Sequence, residues 1–100
     1  MITTKQRAFL RGMGANLDPI FQIGKMGVTP DLVKAISDAL EARELIKITV
    51  LKNCEECDGD PRALCEIITS RTHSDPVQVI GHKMVIYRAA KKPIIELPRK

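Results

Sequence analysis

Four consecutive residues, Gly24-Lys25-Met26-Gly27, have types and spacing suited to holding an anion. Two glycines let the backbone approach a phosphate without Cβ obstruction and adopt positive φ where required. Lys25 adds a full, mobile charge at the tip. Met26 can pack a sugar or base face, or hold the loop to the core. Thr29-Pro30-Asp31 comes next and reads as a helix start, which presents N–H groups and a partial positive charge to the loop. The pattern is neither a Walker loop, lacking Gly-x4-Gly-Lys-Ser/Thr, nor a dinucleotide Gly-x-Gly-x-x-Gly. Taken alone, it also fits an ordinary tight strand-to-helix turn.

Other reactive residues form no comparable set. Cys54-Glu55-Glu56-Cys57 has half of a zinc spacing, and Cys65, His73 or His82 could complete it, but no second close pair exists. Cys65 falls on a predicted helix with Leu64 and Ile68 and reads as a small core residue. An acidic setting raises thiol pKa, which argues against a redox pair at Cys54 and Cys57. His82 lies in a predicted turn, His73 near a helix C-terminus, and Ser37, Ser70 and Ser74 lack a nucleophile context. We expect no enzyme, no cofactor and no metal.

The elements that must position the loop are set by apolar spacing and capping residues. Residues 4–13 read as a helix capped by Thr3 or Thr4, with Ala8, Phe9, Leu10 and Met13 on its apolar side; Gly12, Gly14 and Asn16 end it. Residues 19–23 form a short strand. Residues 30–43 form the clearest helix, with Thr29 as N-cap, Pro30 at its first position and Val28 packing over Val33 as a staple. Leu45–Leu51 is rich in β-branched residues and reads as a central strand. The acidic stretch 53–60 is a loop; Asp60 and Pro61 open a third helix that breaks at residues 73–76. Residues 77–80, a Gly81-His82 turn and residues 83–88 form a hairpin. Residues 89–100 form an extended arm. The predicted order, α-β-α-β-α-β-β, makes one α/β domain over residues 1–100: a four-stranded mixed sheet flanked by helices.

Composition narrows the classes of partner. The chain has 100 residues, is 44% hydrophobic and has three aromatics, so aliphatic side chains must build its core. No apolar run reaches the ~20 residues of a membrane span. Residues 1–5 lack the apolar core of a signal peptide. Three cysteines, an odd number, fit a reducing compartment, and the cytoplasm is expected. The net charge of +4 is unevenly spread: residues 1–52 carry +3, residues 53–75 carry −4 and residues 76–100 carry +5. If the two basic segments meet in space, they make a surface for a polyanion.

Four ordered blocks then carry a resemblance. They are Ile23-Gly24-Lys25-Met26-Gly27-Val28-Thr29, Glu44-Leu45-Ile46-Lys47, Val77-Gln78-Val79-Ile80-Gly81 and Val85-Ile86-Tyr87-Arg88, succeeded by Ile94-Ile95-Glu96-Leu97-Pro98. Together they resemble the CRM domain (chloroplast RNA splicing and ribosome maturation) in its stand-alone YhbY form. The resemblance implies a fold related to the C-terminal domain of a bacterial translation initiation factor. It also implies RNA binding through Gly24, Lys25, Met26 and Gly27, with Thr29 behind them, and association with precursors of the large ribosomal subunit. A basic surface beside the loop is implied as well, for which this sequence offers Lys5, Arg7, Arg11, Lys34, Lys83 and Arg88. The acidic loop 55–60 departs from a simple basic RNA binder and would face solvent or a ribosomal protein. A monomer away from membranes is expected.

Overall fold

The computed structural model describes residues 2–51 and 60–98. The acidic segment around Cys54 and Cys57, up to Gly59, lies outside them. The elements are α1 (Thr4–Gly14), β1 (Phe21–Ile23), α2 (Pro30–Arg43), β2 (Leu45–Val50), α3 (Pro61–Thr72), β3 (Asp75–Ile80) and β4 (Lys83–Tyr87). Their order is the expected one. The strands form one mixed sheet in the order β1-β2-β4-β3. β1 runs parallel to β2, while β4 is antiparallel to both β2 and β3.

Alternation along the strands sends side chains to two different layers. Ile46, Ile48 and Val50 of β2, with Met84 and Ile86 of β4, face α2 and α3 and enclose Ile36, Leu40, Leu64, Cys65 and Ile68. The intervening residues Leu45, Val85 and Tyr87 face the other way, onto Ile2 and Leu10 at α1. The sheet is thus covered by two helices on one side and one on the other. Cys65 is buried in the larger core as the sequence suggests, and burial beside Glu66 pushes its thiol up to about 11.

Helix boundaries coincide with the capping residues. Thr3 accepts from the Gln6 amide at 3.1 Å while the Gln6 side chain accepts from the Thr3 amide at 2.9 Å, a complete capping box. The buried side of α1 differs from expectation. Phe9 and Met13 are more than a third exposed and Ala8 is exposed, whereas Leu10 and Gly14 are buried. Ile2, Leu10 and Gly14 are the residues turned inward, so the stripe is set by where the sheet lies rather than by the largest apolar side chains. Gly14 does not end the helix through positive φ, which occurs only at Gly27 and Gly81 among the described glycines. A Cβ there would stand 3.0 and 3.2 Å from the two methyls of Val85, so Gly14 permits close approach of helix to sheet.

The break expected at residues 73–76 is shorter, because β3 already begins at Asp75 and includes Pro76. Its place on an edge strand removes the need for a donor there. The C-terminal arm has no regular secondary structure, yet it is tied down. Ile95 and Leu97 pack against the smaller core, Ala90 is buried, and Gln6 donates to the Pro98 carbonyl at 3.0 Å. No helix among the described residues is long and apolar enough to cross a membrane.

Candidate functional site

β1 is an edge strand, and its C-terminal end delivers the chain into Gly24-Lys25-Met26-Gly27. The loop closes as a turn: the Gly27 amide donates to the Gly24 carbonyl at 2.9 Å, and Gly27 takes φ 66°. That left-handed conformation strains an L side chain, so glycine is required at the fourth position. At the two central positions, the amides of Lys25 and Met26 have no hydrogen-bond partner among the described residues. Both side chains are exposed, Met26 to 82%, so Met26 does not anchor the loop to the core. Val28, in contrast, is buried in the same cluster as Val33, in the manner of the expected staple.

The start of α2 contributes less than its sequence suggests. Thr29 caps it by accepting from Leu32 at 3.1 Å, Pro30 has no N–H, and the exposed Asp31 already sets a negative charge in the first turn. The helix N-terminus is therefore largely satisfied by its own residues. The donors open to an anion are the turn amides and the Lys25 ammonium.

The six other cationic candidates do not form one surface beside this loop. Lys34 is exposed on α2, about 6 Å along the axis from Pro30. Lys5, Arg7 and Arg11 belong to α1 on the opposite sheet face. Arg7 donates to the Pro76 carbonyl at 3.2 Å, at the start of the far edge strand. That point is roughly 20 Å from the loop, given three strand spacings and four residues of offset. Lys83 also lies on the α1 face, since it alternates with Met84 and shares the side of Val85. Arg88 is half-buried and engaged: it donates to Ser37 Oγ (2.9 Å), the Ser37 carbonyl (2.7 Å) and the Thr72 carbonyl (2.9 Å), and lies 3.8 Å from Glu41. It clamps α2 to α3.

Two residues missed by sequence reasoning matter here. Arg71, in the last turn of α3, donates to the Val28 carbonyl at 3.3 Å and sets a guanidinium behind the glycine turn. Forty-three residues separate the partners, and no local pattern announces the contact. Glu44, at the C-terminus of α2, is wholly buried and takes φ 65°. Its carboxylate accepts from the amides of Ala90 (2.8 Å), Ile94 and Ile95, and its carbonyl accepts from the Arg88 amide. Burial pushes its pKa up, but the amides of Ile95, Ala90 and Ile94 outweigh this and hold it below the usual carboxylate value. Glu44 is thus the anchor of the C-terminal arm.

Comparison with known proteins places this arrangement among relatives. The family model described as the CRS1 / YhbY (CRM) domain matches residues 2–88. The chain is 48% identical over 99 residues to "Probable RNA-binding protein YqeI" of Bacillus subtilis, covering 98% of this chain and all of the relative. It is 35% identical over 99 residues to an "RNA-binding protein" of Haemophilus influenzae, covering 99% and 97% respectively. Its fold matches the solution structure of SAV1595 from Staphylococcus aureus with a TM-score of 0.81 and 48% identity, over 98% of this chain and all of the other. The chain belongs to the CRS1/YhbY (CRM) family.

Proposed function

We propose that this member of the CRM family is a non-catalytic RNA-binding protein that grips the phosphate backbone with the turn Gly24–Gly27. The observation that carries the reading is the turn itself: two amides unpartnered among the described residues and an exposed lysine at its tip, in a turn closed by the Gly27–Gly24 hydrogen bond with Gly27 at positive φ. A similar Gly-x-x-Gly clamp on backbone nucleotides is an established device in another RNA-binding fold. The names of the relatives support the polyanion as RNA. Lys34 on α2 adds long-range attraction, and Arg71 holds the base of the turn. We assign the RNA to precursors of the large ribosomal subunit, as the family resemblance implies, and the location to the cytoplasm, as the odd number of cysteines suggests.

The test is ultraviolet crosslinking in cells and sequencing of the bound RNA, comparing the native protein with Lys25→Ala. Enrichment of large-subunit precursor sequences, reduced in the variant, is the expected result. Recovery of no RNA above background would overturn the reading.

A further inference from the structure

The side of the sheet that carries α1 is only partly covered. α1 ends at Gly14, pressed against Val85, and the chain then turns away toward Leu17. Beyond that point the strands leave an open groove of about 160 Å³ between the end of α1 and the sheet. Its floor is set by the strand register. Lys47, Val85 and Gln78 stand in one row across β2, β4 and β3. Lys83 and Ile80 stand in the next. None of these five is acidic.

We propose that this groove is a second RNA-binding surface, which takes a single-stranded segment leaving the glycine turn. The inference rests on the RNA-binding role of that turn and adds a site to it. Lys47 and Lys83 are diagonal neighbours on adjacent strands, about 7 Å apart, a spacing that lets both reach the phosphates of one strand. Ile80 is 64% exposed and offers an apolar surface to a sugar or base face. Gln78 beside them supplies both a donor and an acceptor for a base edge. A phosphate, a sugar and a base thus each find a partner, a combination that suits a nucleic-acid strand better than an acidic peptide. An open sheet is a common platform for single-stranded RNA.

The groove and the turn also lie at the same end of the sheet. The turn comes directly after Ile23, which pairs with Val50 at the end of β2, and the Val50 amide donates to the His82 carbonyl of the β3–β4 turn at 2.6 Å. Lys83 is the next residue. A strand held at Lys25 therefore reaches Lys83 by crossing one end of the sheet.

Fluorescence anisotropy with a fluorescein-labelled oligo-uridine strand tests this directly, over a range of salt. The double variant Lys47→Ala/Lys83→Ala is expected to bind about tenfold more weakly. Its slope of log affinity against log salt should be shallower by about 1.4, against about 0.7 for Lys25→Ala. Lys47→Arg/Lys83→Arg should restore both, and circular dichroism should show all variants folded. Native affinity and slope in the double alanine variant, with loss in Lys25→Ala, would overturn the groove and leave the glycine turn standing. No binding by the native protein would overturn both. Competition by polyglutamate as strong as by unlabelled oligo-uridine would overturn RNA as the occupant of the groove.

Discussion

Glu44 shows how one side chain can decide a local structure that its neighbours do not encode. A non-glycine residue at φ 65° is strained, and a buried carboxylate is costly unless paired. Three arm amides supply the pairing, so anchor and arm stabilise each other. Glu44→Ala should therefore destabilise the fold by about 2–3 kcal/mol and expose residues 89–98 to proteolysis, measured by denaturant titration and limited digestion. The pH dependence has a definite sign. Because the folded pKa is depressed, the carboxylate stabilises the fold above its unfolded pKa, and this contribution is lost as pH falls through the folded value. Acid unfolding monitored by circular dichroism should show a steep loss below about pH 4 that flattens in Glu44→Gln. Arg88 is the other residue where placement decides role. With its donors on Ser37 and Thr72, Arg88→Ala should lower stability by about 2 kcal/mol while leaving the RNA affinity of the folded protein unchanged.

At the scale of elements, the two glycines of α1 make opposite predictions from the same residue type. Gly12 is exposed and a Cβ there meets nothing within 4 Å, so Gly12→Ala should stabilise by about 0.5–1 kcal/mol through helix propensity. Gly14→Val must push against two methyls of the buried Val85 and should cost about 2 kcal/mol. Thermal unfolding would separate them, at about 4–8 °C per kcal/mol for a domain of this size. The same seating of α1 leaves the groove open, so Gly14→Val should also disturb any ligand bound there. The glycine turn depends likewise on elements remote in sequence. Arg71 reaches Val28 only because α3 packs against α2, and Arg71→Ala should loosen the turn without removing a charge from its tip. Hydrogen exchange at the Gly27 amide, which donates to the Gly24 carbonyl, should accelerate in that variant.

At the scale of the whole molecule, the basic residues are divided between two faces of one sheet. Charge segregation along the chain suggested a single positive surface, but sheet topology sends α1 and α2 to opposite sides. Phosphate contacts at two places imply a salt dependence steeper than the glycine turn alone would give, with contributions from Lys25 and from the groove lysines that add. Binding isotherms of the triple variant Lys25→Ala/Lys47→Ala/Lys83→Ala check this: its slope should fall by about 2, and a fall no larger than that of Lys25→Ala would contradict additivity.

Element order, the start of each helix and the position of the glycine turn were legible in the residues themselves. Thr3, Thr29 and Asp60 each cap the helix that begins at the next residue, Pro30 and Pro61 fit first helical positions, and alternation in β2 and β4 marks two faces. These are local effects, settled within a few residues. Tertiary structure alone decided which side of α1 is buried, that Arg88 clamps helices, that Arg71 backs the turn, and that Glu44 anchors the arm. It also decided that Lys47 and Lys83 share a face away from Lys34. Such outcomes depend on strand order and helix crossing, which bring together residues up to 92 positions apart and leave no periodic trace in the sequence.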